Sequence, residues 1–451
     1  MSVATTETPG TLRPLLRLVW PVLAEQVLVM LVGFSDTVLA GHYLEPKHLA
    51  AMTVISYALW MLTNLFTFVS IGALAMTARF VGARDWLSAN RVTNQAYVLG
   101  AMLAAAFTTC GLALAGHLAT LLQLEGEPAE LATHYLRFLM PMLPAIMAES
   151  IGIACLRGAG DMVTGLVTMI LVNVVNVSVA WSLLLGAGPL PQLGWDALPI
   201  GTACGHAMGG CIPLAMLVRG RAGLRLQWSL LRPDPQLMRR ILRIGVPGGV
   251  DVMSIVICQF MFISIVDRLG TVAVAAHGVA IRLESLAYLP GYAFQVASAT
   301  LCGQYLGARN YRQATRSVLT ACATSGSMLL GAGLLLLFGS RQLVDLFLGP
   351  DQTDVAQLAP RLLQIVSFAM VPLALYQVFT GALRGAGDTR WPLAFTFIGF
   401  LGVRLPMAYL LAHAWGWGVE GAWYAMVADV LLRCSLVSYR FLHGGWKRIE
   451  V

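Results

Sequence analysis

The sequence predicts an all-α polytopic membrane protein, with about 12 transmembrane helices in two six-helix lobes. Of its 451 residues, 58% are hydrophobic and 11% are charged, whereas about a quarter of a soluble protein is charged. Apolar runs long enough to cross a bilayer recur along the chain, and short polar segments separate them. The two halves of the chain also share motifs, which indicates an internal duplication.

Each apolar run predicts one membrane-spanning helix. The predicted spans are 15–41, 49–77, 92–122, 132–156, 162–187, 197–218, 241–266, 271–303, 315–345, 358–382, 391–415 and 418–441. They form an N-lobe (15–218) and a C-lobe (241–441), which are joined by an inter-lobe loop (219–240). Short cytoplasmic segments are expected at residues 1–14 and 442–451.

The distribution of arginine predicts the orientation, because basic residues collect in cytoplasmic loops. With the N-terminus inside, the inner segments hold 21 basic residues and the outer segments hold five. Both termini are therefore expected in the cytoplasm.

Motifs return at a nearly constant offset in the second half of the chain. Leu156–Asp161 (LRGAGD) returns identically as Leu383–Asp388, and Phe80–Asp85 (FVGARD) returns as Tyr305–Asn310 (YLGARN). Each repeat contains an even number of spans, so both halves have the same topology. This pattern predicts a pseudo-two-fold axis along the membrane normal.

The first span carries two carboxylates on one face. Glu25 and Asp36 are eleven residues apart, which is three helical turns and about 16 Å along the axis. A charge at the centre of a span costs about 3 kcal/mol on insertion scales and is usually functional. When the residues near the span ends are counted with the loops, six acidic residues and three arginines remain within the spans. Three carboxylates are then left without a fixed cation, which indicates cation handling. These residues are Glu25, Asp36, Glu149, Asp251, Glu284, Asp429, Arg282, Arg404 and Arg433.

Glu25 and Asp251 each follow a helix-opening proline, Pro21 or Pro247, by four residues, so the repeat predicts equivalent positions for them. One interpretation is a symmetric acidic ring that faces a central cleft at its inner mouth. The other is a pair of partly hydrated residues near the inner rim.

The other charged residues in the spans have mainly structural interpretations. Asp429 and Arg433 are four residues apart and are expected to form an ion pair. Arg404 precedes a proline and is expected to bond freed carbonyls or a nearby carboxylate. Arg282 and Glu284 point to different faces, so each is expected to have a partner on another helix. Glu284 is also considered as a residue that lines a C-lobe cavity.

Several stretches match a known pattern: Pro21, Gln26, Asp36, Thr37 and Gly41 in the first span, and residues 275–277, 303–308 and 383–389 later. Through them the chain resembles the MATE (multidrug and toxic compound extrusion) transporters. The resemblance implies two six-helix lobes in a V-shape in a bacterial inner membrane. It also implies antiport of organic, often cationic, compounds against protons or sodium, with Asp36 in ion coupling and Na⁺ possible there.

The chain departs from two subfamilies of these transporters. Ile255 and Leu373 stand where NorM-like members carry acidic residues. Ala180, four residues after Asn176, stands where DinF-like members often carry aspartate. The coupling ion is therefore left open between H⁺ and Na⁺. The residues considered for a cavity or gate are Glu25, Asp251, Glu284, Gln26, Asn176 and Arg282.

Other functional classes lack their signatures. Neither lysine follows a glycine, so there is no Walker A motif, and His206 and His277 lack the spacing of an intramembrane enzyme. A secondary transporter without a cofactor or protein-bound metal is expected. It would act as a monomer on small amphipathic or cationic compounds among membrane lipids, without nucleic acid. The alternative is a flippase for lipid-linked precursors, which would need a strongly cationic cavity.

Overall fold

The structure is a computed structural model that describes residues 12–121, 127–186, 191–346, 348 and 353–449. Most of the predicted N-terminal segment (1–11), the end of the tail, and the predicted span ends at residues 122 and 187 lie outside the described residues. In the part that is described, every regular element is a helix.

The α-helices follow the predicted spans, although several spans are built from two helices. The helices are α1 (Leu12–Tyr43), α2 (Pro46–Asn64), α3 (Thr67–Gly82), α4 (Trp86–Leu121), α5 (Glu127–Leu139), α6 (Leu143–Gly158), α7 (Val163–Leu185), α8 (Ala197–Val218), α9 (Pro235–Asp267), α10 (Thr271–Gly307), α11 (Tyr311–Phe338), α12 (Ser340–Asp345), α13 (Thr353–Ser367), α14 (Met370–Gly385), α15 (Arg390–Phe397), α16 (Leu405–Tyr409) and α17 (Gly418–His443). Two π-helical segments, Ile398–Arg404 and Leu410–Ala414, flank α16.

Within the described ranges, ten helical segments are long and apolar enough to cross a membrane. The number is eleven when α13 and α14, which are bent by 52° relative to each other, count as one broken span. The remaining predicted span, α17, has 26 residues and carries a buried charged pair in its middle. The chain is therefore a multi-pass membrane protein.

Two compact units divide the chain between Gly245 and Val246, and the start of α1, up to Val19, groups with the second unit. The inter-lobe loop lies against the first unit. The side-chain amide of Gln95 donates to the carbonyls of Leu230 and Arg232 at 2.8 and 2.7 Å. Most of the loop is thus fixed to the N-lobe.

The duplicated FVGARD and YLGARN motifs form the same turn in each unit. Arg84 and Arg309 both adopt left-handed backbone conformations, with φ of 59° and 57°. The next residue caps the following helix: Asp85 accepts from the backbone N–H of Ser88 at 3.0 Å, and Asn310 accepts from that of Gln313 at 3.1 Å. The repeated letters therefore encode a repeated helix start.

Replacing this cap tests the local structure. Hydrogen bonds from Ser88 hold the pKa of Asp85 below its ordinary value, so its stabilising effect is complete at neutral pH and is lost as the pH falls through that lowered pKa. We expect Asp85→Ala to lower the free energy of unfolding by about 1 kcal/mol. Asp85→Asn should change it little, because Asn310 makes the same cap. Denaturant unfolding of the purified protein at pH 7 compares the two variants, and equal losses would contradict the capping role.

Candidate functional site

Helix α1 buries its two carboxylates on one side and exposes large apolar residues on its other sides. Glu25 and Asp36 are 2% and 0% exposed, whereas Val29 and Phe34 are exposed. The predicted spacing of three turns therefore places both acids toward neighbouring helices.

Asp36 lies in a closed polar cluster built by four helices of the N-lobe. Its Oδ2 accepts hydrogen bonds from the hydroxyls of Thr202 (2.7 Å) on α8 and Tyr135 (3.3 Å) on α5. Its Oδ1 accepts from the amide of Asn176 (3.3 Å) on α7. All four side chains are buried, with exposures of 0–1%. We call Asp36, Tyr135, Asn176 and Thr202 the N-lobe polar cluster.

The cluster contains one carboxylate and no basic partner. Neutral hydrogen bonds offset only part of the cost of burying an anion, so a bound cation would stabilise the ionised form and a proton would neutralise it. The carboxylate, hydroxyl and amide oxygens are also ligands of the type that Na⁺ accepts. Either cation fits the chemistry of these residues.

Close helix packing explains why the cluster has only one acid. Ala180 is fully buried against α8, and a Cβ atom added at Gly201 would lie 2.7 Å from the Cβ of Ala180. A carboxylate at position 180 has no space here. Alanine therefore stands at position 180, where DinF-like members often carry aspartate, because α7 and α8 are in close contact there.

One helical turn beyond Thr202, the His206 ring lies against Glu149 of α6. The distance from Nδ1 to Oε2 is 2.9 Å, and both residues are buried. Glu149 thus has a partner within the spans.

Glu25 and Asp251 occupy equivalent places in the two units, as the repeat predicts. Arg157 Nη2 lies 2.7 Å from Glu25 Oε2, and Arg384 Nη2 lies 2.6 Å from Asp251 Oδ2. Both arginines belong to the duplicated LRGAGD motif. Each pair lies within one unit, and both carboxylates are buried.

Both interpretations of Glu25 and Asp251 are therefore wrong: they form neither an acidic ring that faces a cleft nor a pair of partly hydrated residues. The count of three surplus carboxylates assigned Arg157 and Arg384 to loops, but a long guanidinium side chain reaches back into its own bundle. Gly165 makes room for one pair, because a Cβ there would lie 2.7 Å from Glu25 Oε2. These four residues now have a structural explanation, and Asp36 stands out because its contacts are all with neutral groups.

Removing one arginine should destabilise the N-lobe strongly. Arg157→Ala leaves the Glu25 carboxylate buried without its counter-charge, and we expect a loss of about 3–5 kcal/mol in the free energy of unfolding. Glu25→Gln combined with Arg157→Gln should lose less, because no charge is then stranded. Arg384→Ala is the matched variant in the C-lobe. Unfolding of the three proteins in detergent measures the effect, and a double variant less stable than Arg157→Ala would contradict it.

The C-lobe carries a second buried charge cluster. Asp429 accepts from Arg433 through both carboxylate oxygens at 2.8 and 2.7 Å, and Arg404 Nε lies 2.9 Å from Asp429 Oδ2. Both guanidinium groups also stack on the ring of Phe400, 4.4 and 4.6 Å from its centroid. The predicted ion pair and the predicted carboxylate partner of Arg404 are confirmed.

The remaining candidate residues are not gathered at the polar cluster. Glu284 is half-buried on α10. Arg282 is exposed on the same helix, and Gln26 is half-buried on α1. Their side chains make no hydrogen bond with another described residue. Of the candidates, only Asn176 joins Asp36.

Sequence reasoning missed Tyr135 and Thr202, which bind Asp36, and the pairing of His206 with Glu149. The described residues also contain no group of three or more His, Cys, Asp or Glu side chains that could hold a metal ion. Asp36 is a buried carboxylate whose contacts with the described residues are all with neutral groups, and such a residue within a membrane helix marks a functional site.

Comparison with known proteins identifies the family. The MatE family model matches residues 21–182 and 247–410, one stretch in each lobe of the chain. The chain therefore belongs to the MatE family, whose members are secondary transporters and not enzymes.

Curated relatives align over almost the full chain. A probable multidrug resistance protein NorM of Thermotoga maritima is 28% identical, with 99% of this chain and 95% of the relative covered. The multidrug resistance protein NorM of Burkholderia vietnamiensis is 26% identical, with 94% and 92% covered.

Solved structures share the fold. A crystal structure of MATE in complex with MaL6 has a TM-score of 0.91 at 20% identity, and 99% of each chain is covered. An outward-facing multidrug resistance MATE family transporter has a TM-score of 0.90 at 21% identity, again with 99% of each chain covered. The predicted class of twelve helices in two lobes is confirmed, and the axis that relates the lobes stays a prediction.

Proposed function

We propose that this protein exports organic, often cationic, compounds from a bacterial cell in exchange for an inward-moving cation. The observation that carries the proposal is Asp36, a fully buried carboxylate that contacts only neutral donors. The names of the curated relatives as multidrug resistance proteins support the substrate class.

The proposed cycle uses the charge of Asp36. When the site is open inward, Asp36 is ionised and a cationic or amphipathic compound binds. When the site is open outward, H⁺ or Na⁺ reaches Asp36 down its gradient and neutralises it, which favours release of the compound. Tyr135, Thr202 and Asn176 hold the carboxylate in place in either state. The cation changes the interaction of the lobe with substrate, which is the requirement for coupling.

The setting follows from the orientation of the chain. A monomer in the inner membrane with both termini in the cytoplasm would place the LRGAGD turns inside. Cytoplasmic compounds would then enter from the side at which basic residues collect. No cofactor besides the coupling ion is required.

The flippase alternative is less well supported. It would need arginine side chains exposed to a cavity that binds a pyrophosphate. Arg404 and Arg433 are instead 5% and 4% exposed and share Asp429. These arginines are unsuited to bind a large anion.

Transport in everted vesicles tests the proposal. Ethidium uptake is measured with a proton gradient or a sodium gradient imposed alone, in vesicles with and without the protein. Uptake driven by one of the two gradients supports antiport and names the ion. Uptake that neither gradient accelerates would contradict it.

A further inference from the structure

The His206–Glu149 pair is a second ionisable group within the N-lobe, and the function proposed for Asp36 does not use it. The two side chains come from different helices, lie 2.9 Å apart, and are 9% and 5% exposed. Gly209, three residues after His206, faces the Glu149 carboxylate, and a Cβ there would collide with Oε2. The two helices are therefore shaped to hold this carboxylate beside the ring.

The pair is aligned with Asp36 along α8. Thr202, which donates to Asp36, precedes His206 by four residues, so the two lie on one face about 6 Å apart along the axis. Since α8 leads into the inter-lobe loop, His206 is on the side of Thr202 that is predicted to be cytoplasmic. The ionisable groups that the neighbouring helices present here are Glu149 from α6, Asp36 from α1 and Tyr135 from α5, while α7 presents the uncharged Asn176.

An imidazole can accept a proton at one nitrogen while its other nitrogen holds a hydrogen bond. Here Nδ1 contacts Glu149 at 2.9 Å, and Nε2 makes no hydrogen bond with any residue that the structure describes. The Glu149 carboxylate would stabilise the imidazolium that forms. An imidazole N–H group does not bind Na⁺, so the pair is better suited to carry a proton than to bind sodium.

We infer that His206 and Glu149 form a proton station on the cytoplasmic side of Asp36, through which the proton carried by Asp36 is released. In this step the Asp36 O–H bond breaks and an N–H bond forms on His206. The Asp36 carboxylate is then free to favour a cationic substrate, and the imidazolium passes its proton toward the cytoplasm. The inference rests on the coupling role proposed for Asp36 and deepens it by naming the ion and its route.

Two transport assays in proteoliposomes separate this role from a structural one. Export of ethidium driven by a proton gradient needs net proton transfer, whereas exchange of labelled for unlabelled ethidium needs only substrate binding and alternation. We expect His206→Gln and Glu149→Gln to lower proton-driven export at least tenfold and to leave exchange within twofold of the unmodified protein. His277→Gln, which changes a buried histidine of the C-lobe, is the matched control and should leave both rates within twofold.

Other outcomes overturn the inference. An equal loss of export and exchange would mean that the pair only stabilises the bundle. Unchanged proton-driven export would mean that the proton does not need the pair. Export driven by sodium, with the same loss in His206→Gln, would exclude a proton route. Asp36→Asn, measured in parallel, distinguishes the two proposals. If this variant exports normally, the coupling role of Asp36 is wrong. If it loses export while His206→Gln and Glu149→Gln keep it, only the proton station is wrong.

Discussion

Asp36→Asn is expected to abolish gradient-driven export while leaving the protein folded. Asparagine has nearly the same volume and still accepts a hydrogen bond from Thr202, so the N-lobe polar cluster can persist. It carries no charge to exchange, however, so neither a proton nor Na⁺ can change its interaction with substrate. We expect ethidium accumulation in everted vesicles to fall to less than about a tenth of the unmodified level at every imposed gradient, since the remaining chemistry has no coupling.

A neighbouring position controls for this experiment. Thr37 is the next residue on α1, and its hydroxyl donates to the carbonyl of Gly33 at 2.8 Å within the helix. Thr37→Val removes a polar group without touching the cluster and should transport within twofold of the unmodified protein. An Asp36→Asn protein whose export still follows the gradient, or a Thr37→Val protein that loses export equally, would remove the special role of Asp36.

Asp429→Asn is expected to have the largest effect on stability. Asp429 is fully buried and is the counter-charge of both Arg404 and Arg433. Its neutralisation leaves two buried guanidinium groups without a contacting anion, and breaking such a pair costs about 3–5 kcal/mol. We expect a large fall in the free energy of unfolding in detergent and a low yield of folded protein.

An exposed pair between α17 and α13 supplies the control. Glu420 of α17 accepts from Arg361 at 3.2 Å, and the arginine side chain is 67% exposed. Surface pairs contribute about 0–1 kcal/mol, so Glu420→Gln should unfold nearly like the unmodified protein. An Asp429→Asn protein as stable as Glu420→Gln would show that the cluster does not stabilise the C-lobe.

The sequence predicted the fold well because its signals are local. A run of about 20 apolar residues specifies a span whatever surrounds it. The LRGAGD and GAR motifs encode turns through their own backbone. Gly160 and Gly387 have φ of 89° and 85°, in the left-handed region that glycine adopts readily. The breaks inside predicted spans, such as the bend between α13 and α14, were not predicted, because apolar residues continue across them.

The site was predicted only in part. Asp36 was found because a carboxylate deep in a span is rare. Tyr135 and Thr202 were missed because neutral polar residues are common in such helices, and only packing shows which of them meet Asp36. The prediction of an acidic ring of Glu25 and Asp251 was wrong for a related reason. The positions of Arg157 and Arg384 along the chain place them in turns, but their side chains reach the two carboxylates.

Competition between substrate and cation tests the central claim most directly. The affinity of the purified protein for tetraphenylphosphonium is measured over a pH series without Na⁺, and over a Na⁺ series at fixed pH, for the unmodified protein and for Asp36→Asn. By reciprocity of linked binding, one cation should weaken substrate binding to the unmodified protein, by up to about tenfold for each tenfold rise in its concentration. We predict that Asp36→Asn binds with an affinity independent of both cations. An Asp36→Asn protein that retains the cation dependence of the unmodified protein would contradict the claim.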